Sequence, residues 1–502
     1  MKQFYFLILL FISFNLLSQD LKKLDAYYAK ALKDWNVPGM SIAIVKDGKI
    51  IFAKGYGTKE MGKTISPDEN TIYAIASNSK AFTSAIVGQL VDEGKLSWND
   101  KIKKYLPYFE MSDPWVSNEA TLRDALSHRI GLTTFGGDLL WYRSNLNAKE
   151  IIAHLKYLKP SYSFRAGYGY SNVMYITTGE LIEQVTGKTW AENVQSRFFN
   201  PLGMTRSIVG TKGVSKMENV ATPHLYVDNT HKPMPWEDWS HVAATGGILS
   251  SVKDLSQWMM FQMNHCIWKT DTLISKSSHN MMWTPHNAFV VDHMSATKTG
   301  DFNTYGLGWG LSEYNGKLRV SHTGGYSGMV SAVAMLPDEH LGVVILTNGI
   351  RSVFAPLVNY TFDQFIKAPA RDWSKEYLDR YSAASDTRIA DRMKARVQNT
   401  SPSLPQEKYV GEYYTPAYGK ITVDSKDGKM KIAFEHSPDL TATLEHWHYD
   451  TWKLNWDNPQ VIAWFTFGTV KFNSDNNGMI TGISFDVPND DFWFNELDAV
   501  KK

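Results

Sequence analysis

The order of the hydrophobic patterns along the chain limits its fold more than any single residue does. Residues 40–45 read as a short apolar strand and 50–54 as its return strand, around Asp47-Gly48, a hairpin signal. A mostly helical stretch follows over roughly 77–260. Strand patterns return at 305–314, 317–322, 329–336 and 341–348, with Asn315-Gly316 between the first two. Residues 353–366 then close as a helix. This order predicts an α/β (α+β) fold: an antiparallel β-sheet flanked by helices, with an all-helical subdomain inserted in its loops.

Within that frame, 21–35 reads as an amphipathic helix stopped by Pro38-Gly39. A second helix opens at Ser77, carries Phe82, Ile86 and Leu90 on one face, and ends near Gly94. A third spans 172–186 with Gly187 as its stop, Pro201-Leu202-Gly203-Met204 marks a turn, and 255–263 is helical again. Polar residues 367–405 read as a helical linker. From 406 the pattern changes: 420–423, 429–434, 463–472 and 480–487 alternate, with turns at Asp427-Gly428 and Asn477-Gly478. Residues 406–502 are therefore expected to form a small all-β, barrel-like domain. Trp447, Trp452, Trp456 and Trp464 would fill its interior, with stacking on sugar rings as the alternative.

Residues 1–19 have the form of a signal peptide. Lys2 supplies the positive end, 4–17 is an apolar run too short to span a bilayer comfortably, and Ser18 is a small residue at the cleavage point. The expected location is periplasmic or extracellular, with no membrane span left after processing. The main domain would then span 20–366. A formal net charge of +1 gives no reason to expect nucleic acid or an anionic surface as partner. Cys266 is the only cysteine, so no internal disulfide forms, and a buried inert thiol is its expected role. His446 and His448 would share a strand face, but no third ligand accompanies them, so no metal is expected.

Three motifs carry chemistry. In Ser77-Asn78-Ser79-Lys80, positions i and i+3 of a helix share a face, so an amine can reach a hydroxyl that needs a base to become a nucleophile. A helix start also places backbone N–H groups beside Ser77. Ser250-Ser251-Val252-Lys253 repeats the spacing, but Ser251 reads as a helix cap boxed with Asp254. Tyr170-Ser171-Asn172 can aim a phenol and an amide at one point. A nearby Lys80 ammonium would bring the phenol pKa down from about 10. The bland reading is a loop aromatic beside a capping Asn. His322-Thr323-Gly324-Gly325 sits between strands, whereas Lys298-Thr299-Gly300 lacks strand context.

In this order the three motifs resemble the penicillin-recognising serine hydrolases: class C β-lactamases, D-alanyl-D-alanine carboxypeptidases, D-aminopeptidases and related esterases. Residues 126–132, 201–204, 246–248 and 305–309 match that style, and the C-terminal part resembles the lipocalin-like domain often appended to such enzymes. The resemblance implies that Ser77 is acylated, that Lys80 and Tyr170 share base and acid work, and that Asn172 bonds substrate or Lys80. It implies an oxyanion hole from the N–H groups of Ser77 and Gly325. His322 and Thr323 would line the carboxylate or leaving-group side. The implied substrate is a small ester, amide or D-peptide, without a cofactor. The alternative is a non-catalytic penicillin- or peptidoglycan-binding member. β-Lactamases carry lysine where this chain has His322, and a neutral imidazole holds a carboxylate less firmly.

Overall fold

The computed structural model describes residues 21–227, 229–295, 299–383 and 387–502; the signal-like segment 1–19 and Lys298 lie outside the described residues. The frame is one eight-stranded antiparallel sheet. Its strands are β1 (Gly39–Lys46), β2 (Lys49–Gly57), β3 (Asn287–Ala288), β4 (Asn303–Tyr305), β5 (Gly310–Tyr314), β6 (Lys317–Tyr326), β7 (Met329–Leu336) and β8 (Leu341–Thr347). Their spatial order is β3-β4-β5-β6-β7-β8-β1-β2. The N-terminal hairpin thus docks on the edge of the C-terminal strand set, through β1 against β8.

The central strands are apolar at nearly every position because both faces are covered. Ile42, Ile44, Val343 and Ile345 face the helix α1 (residues 21–34) and α5 (Phe354–Ile366). Ala43, Val45, Val344 and Leu346 face the larger core, which includes α2 (Ser79–Asp92), α3 (Asn172–Thr186) and α4 (Val252–Met263). Fully burying a Leu, Ile or Val side chain contributes about 1.5–3 kcal/mol. The two-faced sheet, rather than helix propensity, therefore anchors the domain.

One strand expected to be continuous is broken. Residues 305–314 form β4 and β5, antiparallel to one another and joined by a tight turn over 306–309. Leu307 N–H donates to Met282 O and Gly308 takes φ +77, so the chain reverses before Trp309.

After α5, the helix Trp373–Ala383 packs back on the first core through Trp373. Residues 411–501 close into an eight-stranded antiparallel barrel. The 463–472 strand expectation is half right. Asn458 caps a helix at Pro459–Trp464, and the strand begins only at Thr469. Trp452 and Trp456 lie in the barrel core as expected, while Trp464 does not. His446 and His448 straddle a bulge and bond to the backbone of Tyr449 and Val397. Among the described residues, no group of three or more metal-ligating side chains exists and no helix is long and apolar enough to cross a membrane.

The barrel is seated on the rest of the chain, at the helical subdomain and at the turn between β6 and β7, by directed bonds. Trp493 Nε1 donates to Thr134 O at 2.6 Å, Gly137 N–H donates to Glu496 at 3.1 Å, and Trp464 Nε1 donates to Ser327 Oγ at 3.0 Å. Buried Arg143 pairs with Glu237 in its own domain and with Asp439 in the barrel.

Candidate active site

Ser77 lies in a 3₁₀ turn, Ala76–Asn78, that runs directly into α2. Ala76 is fully buried and held at φ +45, a conformation that costs a non-glycine residue about 1 kcal/mol or more and persists only under tight constraint. The constraint comes from the sheet. Ser331 Oγ, on β7, donates to Ile75 O at 2.7 Å and accepts from Asn78 Nδ2 at 2.8 Å. Gly324, on β6, presses against the same turn: a Cβ there would stand 2.2 Å from Ile75 O and 3.0 Å from Ser77 N. Gly324→Ala must therefore push the serine turn away from β6. Displacements near 1 Å in such sites cost about 100-fold in rate. We expect Gly324→Ala to lower kcat by about that factor with a folded protein, checked by ester turnover beside a thermal melt.

Lys80 sits one helical turn further on, fully buried. Its Nζ is 3.1 Å from Ser77 Oγ, 2.7 Å from Asn172 Oδ1 and 2.8 Å from Thr245 O. The last two atoms can only accept. A neutral amine therefore spends both N–H bonds on them and turns its lone pair to Ser77. Burial pushes the Lys80 pKa well below its ordinary value, with Asp138 opposing. The amide of Asn172 is oriented by its whole neighbourhood: Oδ1 also accepts from Thr245 Oγ1 at 2.8 Å, and Nδ2 donates to Asp138 at 2.6 Å. Asn172 is the first residue of α3 and not its cap; Ser171 holds the cap position.

Tyr170 brings the main correction to the sequence reading. Its phenol is buried and makes no standard hydrogen bond. Burial drives its pKa well above 10, and the pull from Ser77 does not offset this. Lys80 Nζ lies 4.8 Å from the ring, but burial lowers the Lys80 pKa as well, which weakens the ammonium as a partner for a phenolate. A phenol held this way is suited to donate or relay a proton rather than to act as the resident base. Its loop is fixed by His128, whose Nδ1 accepts from Ser171 N–H at 2.9 Å and whose ring lies 4.3 Å from that of Tyr170.

His322 is also neutral. Nδ1 faces Thr323 O at 2.7 Å, a carbonyl that can only accept, so Nδ1 carries the proton. Nε2 then accepts from Tyr305 Oη at 2.8 Å. Burial, with Lys80 next, takes its pKa down to about 3. Both nitrogens are used inside the protein, so the ring offers neither a cation nor a free N–H to a carboxylate. Thr323 and Gly325 lie on the β6 edge beyond the last β5 pair, Gly310 with Ser321, and both line the cavity.

That cavity, about 490 Å³, holds Ser77, Tyr170, Asn172, His322, Thr323 and Gly325 together. The second Ser-x-x-Lys match is elsewhere. Ser251 caps α4 through Asp254 N–H, although the Asp254 carboxylate turns to Arg206 and Ser207 and leaves the box half made. Ser250 is buried and Lys253 exposed. Cys266 is buried, and burial raises its thiol pKa well above the ordinary range. Sequence reasoning missed Asp138, Thr245 and His128; the segment 126–132 contains His128 and 246–248 adjoins Thr245, while nothing marked Asp138. It also missed that the barrel supplies part of the cavity wall: Trp464, Asp491 and Phe492.

Comparison with known proteins agrees with this architecture. A family model described as Beta-lactamase matches residues 24–362, and one described as a domain of unknown function, DUF3471, matches 395–501. The chain is 29% identical over 464 residues to unguisins hydrolase ungD' of Aspergillus campestris, covering 84% of this chain and 82% of that protein. An octameric penicillin-binding protein homologue from Pyrococcus abyssi superposes with a TM-score of 0.61 at 20% identity, covering 96% of this chain and 100% of that one. A class C β-lactamase gives 0.57 at 18% identity over 70% of this chain and 97% of its own.

Proposed function

Since the chain belongs to the beta-lactamase family, we propose that it is a serine hydrolase that cleaves an ester or amide bond of a small substrate through an acyl-enzyme, as an esterase or D-amino-acid peptidase. The observation that carries this reading is the placement of Lys80 Nζ against Ser77 Oγ with its other two directions occupied by obligate acceptors.

In acylation, Lys80 takes the Ser77 proton as Oγ attacks the carbonyl carbon. The carbonyl electrons move to an oxyanion facing the N–H groups of Ser77 and Gly325, each such donor being worth about 2.7–4 kcal/mol. As the tetrahedral species collapses, the neutral Tyr170 phenol gives its proton to the leaving group and is reprotonated by the Lys80 ammonium. Water then attacks the acyl carbon, with the same groups acting in reverse, and Ser77 is regenerated. Asn172 and Thr245 position Lys80.

β-Lactam hydrolysis ranks third. Its substrates carry a carboxylate, and the neutral, fully engaged His322 has no charge to meet it. The alternative of a non-catalytic binder is disfavoured by the intact contact between base and nucleophile. A panel of p-nitrophenyl esters, D-aminoacyl amides, D-Ala-D-Ala peptides and nitrocefin tests the reading. Turnover of esters or D-aminoacyl amides at least about 100-fold above nitrocefin in kcat/KM is expected. Nitrocefin as the best substrate, or no turnover of any, would overturn it. We further propose export to the periplasm or beyond, on the charged and then apolar residues 1–19.

A further inference from the structure

The phenol of Tyr170 makes no standard hydrogen bond, so the backbone and ring contacts that carry it set where it points. That backbone is clamped on both sides. Gly169 N–H donates to His128 O at 3.0 Å, and a Cβ at Gly169 would stand 1.8 Å from Leu132 O. Tyr170 N–H donates to Thr134 Oγ1 at 3.1 Å, and Tyr170 O accepts from Phe135 N–H at 2.7 Å. The Phe135 ring also packs against that of Tyr170, with centroids 5.5 Å apart. Both polar groups of the Tyr170 backbone are thus spent on two consecutive residues of one loop.

The outer side of that loop is held by the barrel. Trp493, just before the 3₁₀ turn Phe494–Leu497, donates from Nε1 to Thr134 O at 2.6 Å. Gly137 N–H donates to Glu496 in the same turn at 3.1 Å. Between these ties Phe135 takes φ +62, a conformation that a non-glycine residue keeps only where its surroundings hold it. Thr134 therefore joins the two domains through one residue. Its carbonyl accepts from Trp493, and its hydroxyl accepts from the Tyr170 peptide. An indole N–H can only donate and a carbonyl can only accept, so the link has one polarity. The cavity lining includes Thr134 but not Trp493.

We propose that Trp493 and Thr134 are positioning residues for Tyr170, so that proton delivery to the leaving group depends on how the barrel is seated. Trp493 acts through Thr134 rather than on the substrate. The proposal rests on the hydrolase reading for the acid role of Tyr170. Its consequence is selective. An alkoxide must be protonated as it departs, whereas a nitrophenolate leaves with little help. Misplacing the phenol therefore slows alkyl esters more than p-nitrophenyl esters. Loss of fold, or of the base at Lys80, slows both.

The test compares ethyl acetate with p-nitrophenyl acetate on the full chain. Both give the same acetyl-enzyme, so their kcat/KM values compare the acylation step. Trp493→Phe deletes the indole donor, and Thr134→Val deletes the hydroxyl acceptor. Each is expected to lower the ratio of kcat/KM for ethyl acetate over p-nitrophenyl acetate by about tenfold. Thr134→Ser, which keeps the hydroxyl, is expected to retain most of the wild-type ratio. In a Tyr170→Phe background, Trp493→Phe is expected to move the ratio no further, since its effect passes through the phenol. An unchanged ratio in Trp493→Phe, or a change that persists undiminished without the phenol, would overturn the proposal. If neither ester is turned over, or Tyr170→Phe leaves the ratio unmoved, the acid role in the hydrolase reading fails separately. Crystal structures of Trp493→Phe and Thr134→Val then decide the positioning: a displaced Tyr170 ring supports it, and an unmoved ring overturns it. Thermal melts of each variant exclude loss of fold as the cause.

Discussion

Ser77→Ala is expected to lower kcat/KM for the best ester or aminoacyl substrate by about 10⁴-fold or more, with the melting temperature little changed. The size follows from removing the proposed nucleophile while leaving the donors around it in place. The turn that holds Ser77 is fixed by Ile75, Asn78, Gly324 and Ser331, none of which bonds the Ser77 hydroxyl, whose partner is Lys80. The fold therefore survives the change. Ser250→Ala is the internal control. Ser250 Oγ bonds Ser207 in a buried pair, and its spacing partner Lys253 points to solvent. Its activity is expected to stay within a fewfold of wild type. Equal turnover in Ser77→Ala and wild type would remove the nucleophile assignment.

Lys80→Met carries the second largest effect. It keeps the length and apolar stem but deletes the base, and a fall of about 10²–10⁴-fold in kcat is expected. Lys80→Arg does not rescue it, because a guanidinium stays protonated at any working pH. The pH profile gives the sharper reading. Burial lowers the Lys80 pKa far below 10.5. Activity therefore rises with pH as the ammonium loses its proton, and this limb lies well below pH 10.5. Had the amine stayed charged, the limb would sit at or above that value. Stability shifts in the same direction. Between the depressed folded value and 10.5, the unfolded chain holds a proton that the folded one lacks, so raising pH through this window favours the fold. Kinetics from pH 5 to 10 on wild type and on Tyr170→Phe separate the two groups. The Lys80 limb is expected to persist in Tyr170→Phe, because the phenol stays protonated throughout.

The parts of this molecule legible in sequence were the local ones. Short apolar runs and turn signals such as Asn315-Gly316 marked the sheet, since each depends on neighbours within a few residues. The three motifs were visible because each packs its chemistry into three or four consecutive positions. Contacts across long stretches of chain were not legible. Thr245 reaches Lys80 across 165 residues and Asp138 reaches Asn172 across 34, so nothing local marks them. Trp464 read as barrel filling because aromatic content alone cannot tell an interior wall from a docked one; the bond of its indole to Ser327 decides that. The direction of the Tyr170 pKa was misjudged for a related reason. Proximity to Lys80 was inferred correctly, but the burial that lowers the Lys80 pKa and raises that of Tyr170 is a property of the assembled core.

The central claim is that Ser77 is the residue that becomes acylated. Incubation with a fluorophosphonate, followed by intact mass and peptide mapping, tests it most directly. The account predicts one adduct per chain, on the peptide that contains Ser77, absent from Ser77→Ala and slowed in Lys80→Met. An adduct on the Ser250 peptide, or labelling of Ser77→Ala at the wild-type rate, would contradict it.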